Sequence, residues 1–428
     1  MSSKPMLFQR FFRLGTLWSH ADFMKLWTGQ TVSLFGSQVT LLALPLTAVV
    51  LLNATPIQMA ILSAAEFAPF LLVTLFAGVW IDRKRRRPIL IFADFGRAVL
   101  LTCVPLLSAL QQLQITYLYI IAFLVGILTV FFQLAYEAYL PRLVEPAHLA
   151  EGNSKLSVSA SLAELGGPGL GGLLIQIFTA PFALLIDVFS FLVSAFSLLL
   201  MHKPEPILPA PTKEADIWQE IAVGFRATIQ NRYLRAFAGE AATYNFFWQM
   251  IQAIFILYAV RELHLNALLI GSIFAAGSVG ALFGALGIER LAQRFGIGRM
   301  IVGSQALSDV TVFLIPLSSI LGSTTGAIAC MMFAFFVRGY GNTACNVYVN
   351  SVRQANTSDE LRGRTNAVYR LVVSGVVAVG ALVGGILSER INLSFTLLVG
   401  AIGVSCSWLW LLCSPAFRLR SLPADSEK

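Results

Sequence analysis

An all-α membrane protein is predicted, with twelve transmembrane helices in two pseudo-symmetric six-helix halves and both termini cytoplasmic. Three observations carry this. Hydrophobic residues make up 57% of the chain and charged residues 12%, with a mean hydropathy of +0.75, where soluble domains average about 45–50% and about 25%. Apolar windows of roughly 20 residues, the length that crosses a bilayer, recur twelve times. Lysine and arginine, which give the 428-residue chain a net charge of +8, crowd onto alternate connections between those windows.

The first segment, 23–51, follows a tail with Lys4, Arg10, Arg13 and Lys25. The charged, aromatic start runs into a spanning-length segment without the short apolar region and small-residue site of a cleavable signal, so it is expected to stay attached. Segments 57–80 and 88–110 flank the run Arg83, Lys84, Arg85, Arg86, Arg87. Segments 116–139, 154–178 and 181–200 complete the first half, with Arg142, Lys155 and Lys203 on the same side. Residues 201–235 form a polar linker, Pro-rich from His202 to Pro211; from Ile217 to Arg226 its apolar residues recur at helical spacing beside charges, which suits an amphipathic helix at the membrane surface. The linker separates residues 1–200 from residues 236–428.

The second half holds segments 236–260, 267–288, 298–320, 324–350, 364–388 and 393–413. Arg290, Arg294, Arg299, Arg353, Arg362 and Arg364 again lie on one side, and the odd-numbered connections carry only Arg261 and Arg390. By the positive-inside rule the termini and the linker are cytoplasmic. The basicity is thereby a topology signal, and a nucleic-acid partner is not expected. Cys103, Cys330, Cys345, Cys406 and Cys413 fall inside segments without metal-type spacing, so neither a disulfide framework nor a metal site is indicated.

The halves resemble each other. Pro141 Arg142 Leu143 Val144, Asn153 and Gly171 Gly172 Leu173 Leu174 are echoed by Val352 Arg353, Asn366 and Gly384 Gly385 Ile386 Leu387. Such repeats mark many secondary transporters, with the substrate site between the halves near the bilayer midplane.

Two motifs stand out. After the second segment the chain reads Gly78 Val79 Trp80 Ile81 Asp82 Arg83 Lys84 Arg85 Arg86 Arg87 Pro88. Glycine permits close helix approach, the aspartate can face a helix N-terminus, and the arginines can pair with carboxylates; such contacts are readily made in one state and broken in another. A basic loop follows from topology alone, but the full spacing is more specific. A degraded copy runs from Gly287 to Arg294 with Gly298 and Arg299. In the fifth segment, Glu164 Leu165 Gly166 Gly167 Pro168 Gly169 Leu170 Gly171 Gly172 combines a kinking proline with glycines that allow tight packing in lipid. The eighth segment offers Gly277, Gly280 and Gly284.

The first motif resembles the signature loop of the major facilitator superfamily, and the second resembles its antiporter motif. Leu26 Trp27 Thr28 Gly29 Gln30, Ala43 Leu44 Pro45 Leu46, Pro141 to Val144, Asp187 with Ser190 Phe191, and Glu360 Leu361 Arg362 Gly363 Arg364 extend the resemblance over almost the whole chain. They are similar to the branch with macrolide-efflux and enterobactin-exporter proteins. The resemblance implies the superfamily fold in the bacterial inner membrane and proton-driven export of amphiphilic compounds. It also implies a cytoplasmic gate locked in the outward-open state through Gly78, Asp82, Arg83 and Arg86, and a seal against leak at Gly166, Gly167, Pro168, Gly171 and Gly172. No cofactor is implied; the proton gradient supplies energy. One departure is that the fourth segment lacks the arginine of many drug antiporters, so Arg97 in the third, or none, takes that role.

Charges inside segments are costly and mark functional candidates. Glu66, Asp94, Arg97, Glu137, Glu164, Asp187, Glu240, Asp309, Arg338 and Arg370 are the set. Under the resemblance, segments one, four, seven and ten line the cavity, with two, five, eight and eleven beside them, which lowers Asp187 and Asp309 in rank. Asp94 and Arg97 lie three apart and are expected to pair. Glu66 and Glu164 are the proton-coupling candidates, since desolvation favours the neutral form of a carboxyl group. Gln30, Arg97, Gln133, Tyr136, Tyr244, Asn245, Trp248, Arg338 and Asn342 are the cavity candidates. A cationic or neutral cargo favours the glutamates; a catecholate or carboxylate siderophore favours Arg97 and Arg338.

The expected partners are therefore a small-molecule substrate, protons and the lipid bilayer, with the protein acting as a monomer, alone or with a periplasmic and outer-membrane export system. Import through the same fold is the alternative. A channel or membrane enzyme is a third reading, although no nucleotide-binding loop, nucleophile elbow or metal-ligand cluster is visible.

Overall fold

Each apolar window folds as a helix. The computed structural model describes residues 16–82, 84–203, 205, 217–321 and 323–420. Lys4, Arg10, Arg13, Arg83, Lys213, Lys428 and most of the Pro-rich run lie outside the described residues, as does the side chain of Asp82.

Among the described residues the regular elements are helices. Helix α1 (Ala21–Leu46) is capped by His20, whose Nδ1 accepts from the Phe23 amide at 3.0 Å, and runs on as a π-helical turn, Thr47–Leu51. Helix α2 (Pro56–Leu72) starts in a capping box of Thr55 and Gln58 with proline at its first position, is interrupted at Val73, and continues as Thr74–Asp82. Then come α3 (Arg86–Ala109), α4 (Ile115–Leu143), α5 (Leu149–Phe178) and α6 (Ala180–Leu199). A separate helix, Ile217–Gln230, precedes α7 (Arg232–Arg261), α8 (Ala267–Phe295), α9 (Ile297–Thr311), α10 (Thr324–Ala355), α11 (Asp359–Arg390) and α12 (Leu393–Ser405, continued by Trp408–Leu412). In the Ile217–Gln230 helix, Gly224 is buried, and a Cβ there would lie 2.6 Å from the Arg364 carbonyl oxygen; this helix packs on α11.

Among the described residues nine helices are long and apolar enough to cross a membrane. The other three candidates fall short for visible reasons. The interruption at Val73 leaves α2 with 17 residues, while α7 and α10, at 30 and 32 residues, carry Glu240, Asn245, Gln249 and Gln252, and Arg338, Asn342, Asn346 and Asn350. Helices that face a polar cavity can hold such residues, whereas helices surrounded by lipid cannot. Several helices also overrun the apolar windows at the end with the basic connections. Helix α5 begins at Leu149, α8 reaches Phe295, α10 reaches Ala355 and α11 begins at Asp359. Their polar turns project beyond the hydrocarbon, where hydropathy no longer reports helix.

The packing repeats itself. Helix α1 packs on α5 and α6, α3 on α4 and α6, and α2 on α4; in the same order α7 packs on α11 and α12, α9 on α10 and α12, and α8 on α10. The two sets meet through α2 with α11 and α5 with α8. Glycine makes the closest crossings possible: at Gly284 an added Cβ would lie 3.1 Å from the Tyr340 Cα, and at Gly280, 2.9 Å from the Phe336 Cα.

The buried apolar residues divide unevenly. Away from the basic connections one core runs through both sets, from Val39 and Leu42 through Leu101 and Leu184 to Ile254, Ile270, Phe335 and Leu397. At the basic end each set has its own core, one around Phe23, Leu90 and Leu143, the other around Phe237, Ile301 and Val352. The molecule is joined at one end and parted at the other.

Candidate functional site

The joined end is closed by polar ties as well as apolar packing. Arg261 Nη2 donates to the carbonyl oxygens of Asn53 (3.1 Å) and Ala54 (2.9 Å), and the Ile57 amide donates to Glu389 Oε2 at 3.3 Å. Gln249 Nε2 donates to Ser63 Oγ at 2.8 Å. Small residues bring the backbones together: a Cβ on Gly172 would lie 2.6 Å from the Ala267 carbonyl oxygen, and one on Gly385, 3.0 Å from that of Pro56.

Toward the basic end a cavity of about 630 Å³ opens between α2, α4, α10 and α11. Its two walls differ. Phe70, Leu71, Val130 and Leu134 make the α2 and α4 side mainly apolar, with Thr74 and Gln133 as its polar members; Asn350, Arg353 and Gln354 of α10 and Asn366, Tyr369 and Arg370 of α11 form a polar side. Arg353 donates through Nη2 to Asn366 Oδ1 at 2.9 Å, and its guanidinium stands 3.6 Å from the Tyr369 ring. Arg370 reaches across to Glu137 of α4 at 3.9 Å, with both side chains about half exposed.

Of the residues expected to line a cavity, Gln133 is on this wall, and its Nε2 donates to Glu137 Oε1 at 3.4 Å. Tyr136, one turn on, stacks against Phe132 at 5.9 Å. Tyr244, Trp248 and Arg338 are brought together elsewhere: Arg338 Nη2 donates to the Tyr244 hydroxyl at 2.8 Å and the guanidinium lies 3.3 Å over the Trp248 ring. Asn245 Nδ2 donates to the Ala241 carbonyl of its own helix, and the Asn342 side-chain oxygen accepts from Asn346. Gln30 is half-buried on α1, and its Oε1 has no partner among the described residues.

Arg97 is buried and ion-paired with Asp94, its guanidinium 4.4 Å from the Phe132 ring and 4.1 Å from the Phe191 ring. Close by, Asp187 accepts from Thr40 at 2.5 Å and Ser190 at 2.8 Å, so α1, α3 and α6 share a buried polar cluster. Asp309 is buried likewise, accepting from Gln305 (3.0 Å) and Ser407 (2.8 Å).

The two glutamates singled out in the sequence lie apart. Glu66 lines a small pocket of about 110 Å³ between α1, α2, α7 and α8, with Ser63, Gln249 and Gln252. Glu164 is exposed, and at about 100° per residue it sits on the face of α5 opposite the exposed Val158 and Leu162. Its neighbours along that face, Gly167 and Gly172, meet α1 and α8, so Glu164 faces the gap between them.

In the signature loop, a Cβ on Gly78 would meet nothing within 4 Å. Arg86 is buried; its amide donates to both oxygens of Glu205 at 2.9 and 2.8 Å, and the Arg87 amide adds a third bond at 3.1 Å. Glu205 thus caps α3, an acidic group on a helix N-terminus. Arg83 and the Asp82 side chain are outside the described residues. In the antiporter motif, Gly167 packs on Gln38, Gly171 on Val39, and Pro168 and Gly172 on Gly271, while Gly166 has only Phe35 at 3.8 Å.

Residues 16–427 match the family described as transmembrane secretion effector. The chain belongs to that family, within the major facilitator superfamily. It is 20% identical to macrolide efflux protein A of Streptococcus pyogenes over 94% of this chain and 97% of that one, and 25% identical to the multidrug efflux pump Tap of Mycolicibacterium fortuitum over 92% and 95%. Among solved structures it overlays on a bacterial homologue of the iron transporter ferroportin in the inward-facing state with a TM-score of 0.72 at 17% identity, covering 91% and 98% of the two chains. The outward-facing structure of such a homologue gives 0.57 at the same identity and coverage. The nucleoside transporter NupG gives 0.72 at 11% identity, over 92% and 99%. This member of the family is therefore a multi-pass membrane transporter and not an enzyme.

The sequence reading missed most of the polar wall. It took Arg353 as a topology charge and Asn366 as part of the repeat, and passed over Tyr369. The available signal was the length of α10: three and a half polar-bearing turns follow Asn342 before the helix ends at Ala355.

Proposed function

We propose that this protein is a proton-coupled exporter of amphiphilic small molecules that works by alternating access in the inner membrane, its basic end in the cytoplasm. The observation that carries the reading is the division of the core: one joined end, and at the other a cavity with an apolar and a polar wall. A cargo that is part apolar and part polar matches such a cavity. The efflux names of the relatives support the outward direction, and the tight α5–α8 contact at Gly172 supports a sealed path. Glu66 or Glu164 is the proton carrier in this reading, each on a helix beside the interface of the two sets. Energy comes from the proton gradient without a cofactor, and the protein works as a monomer, alone or with a periplasmic and outer-membrane system.

Inside-out vesicles test it. A fluorescent amphiphile should accumulate in energised vesicles and leak back on addition of a protonophore, and Glu66→Gln or Glu164→Gln should remove the pH dependence of uptake. Accumulation that ignores the protonophore rejects proton coupling; labelled nutrients moving the opposite way would make the protein an importer.

A further inference from the structure

We infer that the cavity between α2, α4, α10 and α11 takes amphiphiles with an anionic head group, a carboxylate, phosphate or sulfonate, held by Arg353 and Arg370 with the apolar part against α2 and α4. The inference rests on the transport reading above and names the cargo class it left open.

Among the described residues the wall contains two guanidinium groups and no acidic side chain. Arg353 is half-buried and held by neutral partners, the Asn366 side-chain oxygen at 2.9 Å, the Asn350 side-chain oxygen at 3.4 Å and the face of Tyr369. No carboxylate among the described residues lies within ion-pairing distance of it. Taking a cation out of water without a counter-charge is unfavourable, and an entering anion removes that penalty.

Arg370 is one residue from Tyr369 and four from Asn366 on α11, so it shares the same wall. Its partner Glu137 is 3.9 Å away, on the opposite side of the cavity, and both side chains are about half exposed. An exposed pair at that separation contributes little, and a ligand anion can displace Glu137. Gln354 and Asn366 add carboxamide donors beside the two cations. Opposite them Phe70, Leu71, Val130 and Leu134 offer no hydrogen-bonding side chain. The cavity thus sorts its ligand: charge toward the guanidinium groups of α10 and α11, hydrocarbon toward Phe70, Leu71, Val130 and Leu134.

Purified protein in phosphatidylcholine nanodiscs allows a binding test that needs no gradient. The probes are a dansyl-undecyl chain ending in carboxylate and the same chain ending in trimethylammonium, followed by dansyl fluorescence. The carboxylate probe should bind, and Arg353→Gln or Arg370→Gln should weaken it roughly tenfold or more, the size expected for a charge-assisted hydrogen bond. Lysine at either position should recover much of the affinity, which a merely misfolded variant cannot do. Glu137→Gln should tighten binding by freeing Arg370. Competition by phosphatidylglycerol would identify a lipid as the source of the anion, and its absence a soluble amphiphile; both support the anionic class. Equal or tighter binding of the trimethylammonium probe, or unchanged carboxylate affinity in the folded glutamine variants, overturns it. Charge-blind binding leaves proton-driven export standing, whereas vesicles that fail to transport leave a selective binding result standing.

Discussion

Gly172→Ala should open the joined end, and its neighbour Gly171→Ala should not. A methyl group on Gly172 would stand 2.6 Å from the Ala267 carbonyl oxygen and 3.0 Å from the Gly271 Cα, where ordinary contact begins at 3.4 Å. Both obstacles are backbone, so no rotamer change relieves them, and α5 and α8 must part by about 0.8 Å (3.4 − 2.6) at that level. A methyl on Gly171 would stand 3.4 Å from the Gln38 carbonyl oxygen and the Val39 Cα, which is tolerable. Overpacking of a tight contact costs about 1–3 kcal/mol. At 1.4 kcal/mol per decade this moves the balance between closed and open forms by about 5- to 140-fold. Spin labels at Gln112→Cys and Ile320→Cys, both exposed beside that end, in a chain freed of its five native cysteines, report the separation by electron–electron double resonance. Gly172→Ala should raise a longer-distance population, with Gly171→Ala matching the parent. An unchanged distribution in Gly172→Ala, or equal shifts in both, would refute the reasoning.

Other variants probe other contacts. Arg97→Met leaves Asp94 buried without its cation and should cost about 3–5 kcal/mol, seen as a lower melting temperature in detergent; adding Asp94→Asn should recover part of the loss, and a double variant no better than the single one contradicts the pairing. Gly280→Ala drives a methyl toward the Phe336 carbonyl, 2.9 Å from its Cα, and should lower the melting temperature without the distance shift of Gly172→Ala, because α8 and α10 belong to the same set. Glu205→Gln weakens three bonds to the α3 N-terminus and should cost about 1 kcal/mol, again by thermal unfolding. Asp82→Asn should cripple transport in vesicles while the protein still inserts at parental level; full transport rejects a gating role for the loop.

The sequence was most legible where lipid is the solvent. Bilayer thickness imposes a length and a polarity, so the apolar windows located every long helix, and the three-residue spacing of Asp94 and Arg97 was enough to expect their pairing. It was least legible where helices leave the hydrocarbon. Arg353 lies past the window 324–350, in a turn that hydropathy assigns to a loop, yet α10 continues to Ala355 and carries it onto the cavity wall. The pairing of Arg338 with Tyr244 spans 94 positions, and no local spacing encodes it. Asp187 and Asp309 line neither the cavity nor the pocket at Glu66; both are buried between helices, each satisfied by hydroxyl or amide donors from its own or the neighbouring helix, as a buried charge requires.

Under the proposed alternating access the joined end has to be undone. Its closest backbone crossings lie at Gly172, Gly271 and Gly385, beside the apolar core that both sets share. In that proposal, apolar surface uncovered at one end would be exchanged for surface covered at the other, and the polar ties would then weigh in the difference. The bonds from Arg261 to Asn53 and Ala54, from Ile57 to Glu389 and from Gln249 to Ser63 contribute about 0.5–1.5 kcal/mol each, about 2–6 kcal/mol together. One elementary charge gains about 2.3 kcal/mol in crossing 100 mV. The two quantities are of the same order, so under the proposed coupling one or two ions moving down a membrane potential would supply energy comparable with these ties.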